Sequence, residues 1–537
     1  MKTFYILLFT TFICQAQFYG PDDFRISDAG GFGNTTSSVD FPDIAYNSNN
    51  HTYLAVWESA DTDFNGVVAN NSQIIGRFID LNGNVLGNDI LISSLNLGQA
   101  PLENRFPRVA FNSSNNTFLV VYQGQLNANK SEIYGVVLDQ NGSIISSDYR
   151  ITNSSSSGNS SNDARTPALV YNSLLNEYFM AYIMVSQATS TVNGSLELYG
   201  QRLDQNGLQI GTSFPITNSA NGIQTNGSIP DVIFNPNARE YAVTYVASPI
   251  NNQEEAFVTT VSENGNLVNQ YQLSNRGSIN SNSFGNKWVR AAYSTTDNRY
   301  IFVYEADNSQ AGEIDVFGVI YDDSMNILVP EFEISQVGAQ DTRHDAATAD
   351  VDWNPNDNTF YVVFNANPFF SNRFEREIFM RTVTTTGVTG NSLLRVSAAP
   401  VNADGSAFLP RIVSNGQAAL LIVYKAEDTS SGSMMVNQEY EVYGQLYGSS
   451  TLSLDSNQQS QIEFYPNPSK DYIFIEGNGD VEKSVTISSL SGTLLLHHQE
   501  INQNLTKIDI SNLATGVYFL TVTTNNDIIT WKFIKSQ

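Results

Sequence analysis

Between Phe41 and Gly448 the apolar and polar positions follow one pattern seven times, at intervals of about 60 residues. Each unit opens on a short apolar run: FPDIAY at Phe41, FPRVAF at Phe106, TPALVY at Thr166, IPDVIF at Ile229, WVRAAY at Trp288, TADVDW at Thr348 and LPRIVS at Leu409. An Asn-rich turn follows, as in Asn47-Ser48-Asn49-Asn50. A second strand then carries an aromatic at one place: Trp57, Tyr122, Tyr182, Tyr245, Tyr304, Phe364 and Tyr424. After a loop of variable length, a third strand ends in Asp-x-Asn-Gly, as at Asp139 to Gly142, where the glycine supplies the positive φ of a tight hairpin. A fourth short strand closes the unit, for example YRIT at Tyr149 and FEIS at Phe332.

Only six closing strands follow their own third strand. The seventh, FRIS at Phe24, stands before the first unit, and the last unit ends at Gly448 without one. Circular closure accounts for both, with Phe24 to Ser27 pairing against Glu441 to Tyr447. The expectation is an all-β chain: a seven-bladed β-propeller over residues 18–448, closed by its N-terminal strand so that few edges stay exposed. A solenoid of the same repeats has no use for the displaced strand.

The start, MKTFYILLFTTFICQAQ, reads as a signal peptide over residues 1–17, cleaved near Gln17, so the mature protein is expected outside the cell. No later apolar run approaches the roughly 18 residues of a membrane span. Cys14 is the only cysteine, which leaves the mature chain without disulfides or thiolate chemistry. A net charge of −27 argues against nucleic acid and anionic membranes as partners.

Beyond a linker at 449–461 the pattern changes to about seven short strands, read as a small immunoglobulin-like sandwich over 462–537. The stretches FYPNPSKDYIFIEG at Phe464, VTISSLSGTLL at Val485, IDISNLATGVYFLTV at Ile508 and the basic ending from Trp531 to Lys535 carry a resemblance. They resemble the type A C-terminal sorting domain of the type IX secretion system, through Pro466, Asn467, Pro468, Gly492, Gly516, Tyr518, Lys532 and Lys535. The resemblance implies contact with the type IX secretion machinery, passage across the outer membrane, and a place in the medium or on the outer cell surface of a Gram-negative bacterium. It implies nothing about the activity of the repeats, which resemble no named family.

The loops from second to third strand and from fourth strand to the next unit emerge on one face and vary in length, so a ligand site is expected there. On that face the second residue after each opening position alternates in charge around the ring: Asp231, Arg290, Asp350, Arg411, Asp43, Arg108, then Ala168. One reading is a belt of ion pairs stitching neighbouring inner strands. The other has Arg108, Arg290 and Arg411 presenting guanidinium forks to a carboxylate or sulfate, with Ala168 leaving the opening. The loop from Asn365 to Arg376 brings Phe369, Phe370, Arg373, Phe374 and Arg376 near Arg343 and His344, either as a platform for sugar rings or a protein contact, or folded back over its blade. Trp288 reads as packing, because its repeat position is large and apolar in five of seven units.

Asp61, Asp63 and Asn65 form a D-x-D-x-N-G run that suits calcium, but the twelfth position is Ser72 rather than a bidentate Glu, so a plain Asx-turn competes with it. No other cofactor is indicated. The acidic residue opening the third strand, at Glu132, Glu197, Glu255, Asp315, Glu377 and Glu441, with Gln73 in the first unit, recurs too regularly for one active site and reads as a structural hydrogen bond. No catalytic constellation stands out, since only His344 of four histidines falls where the site is expected. These residues suit a secreted or surface-displayed protein that binds a polysaccharide or protein ligand on its variable face. A carbohydrate-active hydrolase or lyase with its site at the channel mouth, and a structural or adhesion role, are the alternatives.

Overall fold

Period-two alternation in Val, Ile, Tyr and Phe folds as extended strands, and the described residues of the repeats form seven antiparallel sheets. The computed structural model describes residues 17–448 and 463–536, apart from 129, 155–162, 187–194, 218–223, 226–228, 251–252, 277–286, 308–312, 338–344, 368–375, 398–405, 418 and 428–438, and apart from 466, 477–482, 490–493, 502–504 and 525–527. Two compact units divide the chain, Met1–Ser450 and Thr451–Gln537.

In the first unit each sheet takes its strands in chain order, as in Asn104–Asn112, Thr117–Asn127, Lys130–Asp139 and Ile144–Arg150. The fourth sheet adds the two-residue strand Gln224–Thr225. The first strand of each sheet packs against the first strand of the next, and Ala407–Ser414 packs in turn against Val39–Asn47. Apolar cores fill the spaces between neighbouring sheets, and the seven second-strand aromatics are all buried in them.

The last sheet departs from chain order. Ala407–Ser414, Ala419–Ala426 and Glu441–Gly448 are completed by Gln17–Arg25, which pairs with Glu441–Gly448 from Gln17 opposite Gly448 to Arg25 opposite Tyr443. This strand starts earlier than the expected Phe24–Ser27, and Ile26 and Ser27 lie just past its end. Its local structure copies the other closing strands. Phe24 covers Gly444 as Tyr149 covers Gly135, Phe214 covers Gly200 and Phe332 covers Gly318. The amides of Ile26 and Ser27 donate to Val442 O just as those of Ile151 and Thr152 donate to Ile133 O.

The acidic residue that opens the third strand secures this end of the sheet. Glu132 accepts from Thr152 Oγ1 at 2.5 Å and from Ser154 N at 3.0 Å, and Glu441 takes the equivalent bonds from Ser27 Oγ and Ala29 N. Asp315 receives Ser335 Oγ at 2.7 Å, Glu255 and Glu377 receive Ser274 and Ser397, and Gln73 Oε1 receives Ser93 Oγ at 2.8 Å. The structural reading of these carboxylates follows directly from these contacts.

The second unit holds seven strands in two sheets among its described residues. Glu463–Tyr465, Tyr472–Glu476 and Leu505–Asp509 form one sheet, and Leu494–Ile501, Lys483–Ser489, Gly516–Thr524 and Ile528–Lys535 the other. Ile473, Ile487, Ile508, Leu520 and Phe533 are among the residues that fill the core between them.

Candidate functional site

Six of the seven opening residues share an uncommon backbone. Phe41, Phe106, Thr166, Trp288, Thr348 and Leu409 have φ of 45°, 54°, 43°, 50°, 50° and 52°, a region costly to any residue with a Cβ and most of all to β-branched threonine. Each marks a β-bulge, where pairing with the second strand slips, as between Asp40 and Asp43, Arg105 and Arg108, or Phe408 and Arg411. Amides released by the bulge are met by side chains of the preceding sheet: Phe106 N donates to Glu58 Oε2 at 2.7 Å, Thr348 N to Glu305 Oε2 at 2.8 Å and Thr166 N to Gln123 Oε1 at 3.2 Å.

Four of these opening side chains meet where the inner strands converge. Phe41, Trp288, Thr348 and Leu409, all half-buried, line one pocket with Pro42, Ala349, Pro410 and the three arginines Arg108, Arg290 and Arg411. Its free volume is about 20 Å³. The Phe41 ring lies 4.5 Å from that of Phe106, and the Arg290 guanidinium sits 5.4 Å from the centre of the Trp288 ring. Trp288, whose apolar repeat position suggests packing, is thus also one wall of this pocket.

Beneath this collar the charged belt is only partly paired. Arg411 takes both near carboxylates, with Nη2 to Asp43 Oδ1 at 2.7 Å and Nη1 to Asp350 Oδ1 at 3.3 Å. The second oxygens of those aspartates accept the amides of Val109 at 2.9 Å and Ile412 at 3.0 Å. Burial works against the Arg411 charge, but Asp350, Asp43 and Asp231 outweigh it and hold its pKa above the usual arginine range. For Arg108 burial wins and lowers the pKa to about 10, and for Arg290 burial lowers it as well. Burial also raises the Asp350 carboxyl, against the pull of Arg411 and Arg290. Ala168 is buried in the core between its own sheet and the next rather than at an opening.

The other sequence candidates fare differently. Arg343, His344, Phe369, Phe370, Arg373 and Phe374 lie outside the described residues. Arg376 is tied down by Asp345 Oδ2 at 3.1 Å and Asn365 Oδ1 at 3.4 Å. Asp61 Oδ1 accepts the amides of Gly30 at 2.9 Å and Asp63 at 3.0 Å, as an Asx-turn carboxylate does. Asp61 and Asp63 line an open cleft of about 420 Å³ with Asp28, Phe64, Arg77, Asn88 and Asp89, and among the described residues no group of three or more acidic, His or Cys side chains is arranged to hold a metal ion.

In the second unit, Asn467 and the terminal strand are clasped together. Asn467 Nδ2 donates to Lys532 O at 3.1 Å, and Ile534 N donates to Asn467 Oδ1 at 2.9 Å. Gly516 faces Lys535 across the sheet, Tyr518 stacks on Phe533, Lys532 is exposed, and Lys535 is buried with Nζ donating to Ser536 O at 3.2 Å. Pro468 is exposed, while Pro466 and Gly492 fall outside the described residues.

The fold thus joins an all-β unit of four-stranded antiparallel sheets, propeller-like in their succession, to a small β-sandwich. Residues 463–536 match the secretion system C-terminal sorting domain. The second unit is a type IX secretion sorting domain, and the protein is secreted or held at the outer surface of a Gram-negative bacterium. A stretch of 80 residues is 35% identical to an ulvan lyase of Nonlabens ulvanivorans, and the match spans 15% of each chain. Among solved structures, a protein of unknown function from Dyadobacter fermentans is similar at 12% identity and a TM-score of 0.42, covering 80% of this chain and 99% of that one. The β-propeller domain of a trilobed protease from Pyrococcus furiosus is similar at 9% identity and a TM-score of 0.41, covering 76% and 93%.

Proposed function

We propose that the first unit is a seven-bladed β-propeller, residues 18–448, closed by its N-terminal strand, and that the exported protein binds an extracellular polysaccharide at the mouth formed by the opening residues. The observation that carries this reading is the strained collar. Six bulky or branched residues take positive φ at one repeat position, and four of them wall a single pocket. Backbone strain that is repeated and gathered at one place is a feature of binding and active sites, where surrounding structure sustains it. Half-buried aromatic side chains around one concavity suit the apolar faces of sugar rings.

Binding rather than catalysis is favoured by two of the three aspartates of the belt, Asp43 and Asp350. Both oxygens of Asp43 and of Asp350 are engaged by Arg411 and backbone amides, which leaves neither poised to give or take a proton. The test is a glycan and polysaccharide array probed with the purified mature protein and with a Phe41→Ala, Trp288→Ala double variant. Loss of roughly 10- to 100-fold in affinity is expected from removing two aromatic anchors. Unchanged binding by the double variant overturns the assignment of the mouth, and binding to protein but to no glycan redirects it to a protein partner.

A further inference from the structure

Two buried guanidiniums at the mouth have few protein partners among the described residues. Arg108 and Arg290 are 5% and 3% exposed, so both hold their charge out of water. Among the described residues Arg290 Nε has no hydrogen-bond partner, and Asp350 Oδ1, at 3.7 Å, is beyond hydrogen-bond reach. Arg290 Nη1 donates to Val289 O at 3.1 Å. The corresponding bond of Arg108, Nη1 to Pro107 O at 2.8 Å, is its one hydrogen bond among the described residues. Each guanidinium has five N–H donors, and a buried cation is expensive to leave so poorly satisfied. Asp43 and Asp350 are committed to Arg411 and to backbone amides, and Asp231 acts on both arginines through its charge, with no ion pair to either among the described residues. Both arginines line the pocket under the collar, and its free volume of about 20 Å³ admits about one water-sized group.

Resting on the reading of this mouth as the binding site, we infer that it takes an oxyanionic substituent of a sugar, a carboxylate or a sulfate ester, with one oxygen lodged between Arg108 and Arg290 and the sugar ring held against Phe41, Trp288 and Leu409. The planar guanidinium fork matches both oxyanions, which supply the acceptors the site lacks. The pocket is too small for the ring itself, so the ring stays in the collar while the charged group enters. Because the protein carries a net charge of −27, a polyanion meets repulsion at long range and attraction only in this contact. Salt screens the repulsion between exposed charges more than it screens a buried contact. Binding therefore holds or strengthens as salt rises, opposite to a basic surface patch.

The experiment is calorimetric titration of the purified full-length protein with oligogalacturonate as the carboxylate arm, sulfated dextran oligomers as the sulfate arm and neutral dextran oligomers as the control, at low and high salt. The expected result is binding in one or both acidic arms and a loss of roughly 10- to 100-fold in Arg290→Met and Arg108→Met. Thermal unfolding of the same variants guards against simple misfolding, since removing a poorly paired buried charge leaves the midpoint unchanged or raises it. Neutral dextran bound as tightly, and unaffected by Arg290→Met, overturns the anion inference while leaving the mouth intact. Inorganic sulfate that raises the unfolding midpoint while no acidic oligomer binds marks a structural ion and also overturns it. Failure of every sugar, with Trp288→Ala neutral throughout, removes the mouth reading itself.

Discussion

A residue held at positive φ costs stability unless it is glycine or asparagine, and Thr348 is the clearest case in this chain. It is β-branched, has φ of 50°, and its buried Oγ1 has no hydrogen-bond partner among the described residues. Thr348→Asn suits the left-handed region better and is expected to raise stability by about 1 kcal/mol, read from the urea midpoint at unchanged slope. A lower midpoint would show that the hydroxyl or the methyl is needed where it stands. The repeat of large residues at this position is plain in the sequence, but the sign of φ is not. Proline follows Phe41, Phe106, Thr166 and Leu409, and the residue before proline ordinarily prefers an extended conformation, so local preference points away from what the bulge imposes.

At the scale of the element, the acidic residue of the third strand joins it to the segment after the fourth. Burial raises the Glu377 carboxyl to about 7, against the bonds from Ser397 and Arg395. A carboxyl whose pKa is raised on folding contributes stability that is complete below its unfolded value near 4.5 and is lost as pH rises through about 7. The first sheet carries Gln73 in the equivalent place and still accepts Ser93 Oγ, so Glu377→Gln should fold normally. Its unfolding midpoint relative to the native protein is expected to gain steadily between about pH 4.5 and 7 and to level off above. A difference that does not vary with pH would mean Glu377 stays ionised throughout. That a carboxylate or amide recurs at this position was legible from the repeats. Its partners, twenty residues on, were set by how the fourth strand leaves the sheet.

For the whole molecule the decisive junction is the one between Gln17–Arg25 and Glu441–Gly448. Any Cβ added at Gly444 would stand 2.6 Å from Phe24 Cζ. Gly444→Val is therefore expected to lift the N-terminal strand, lowering stability by about 1–3 kcal/mol and exposing residues near Phe24 to protease. An unchanged midpoint and cleavage pattern would show that this strand adds little to the ring. The displaced FRIS motif announced the junction, because an apolar closing strand needs a sheet to complete and only the last unit lacked one. By itself the sequence determined the strands, their count per unit, the hairpins and the sorting domain, because these rest on period-two alternation, on turn residues with fixed backbone preferences and on contiguous motifs. The positive φ of six opening residues, the gathering of four of them around one pocket, and the commitment of Asp43 and Asp350 to Arg411 rather than to Arg108 and Arg290 were decided only by tertiary structure. Each depends on which neighbouring sheet meets which residue once the inner strands converge, and residues about 60 positions apart carry no local trace of that meeting.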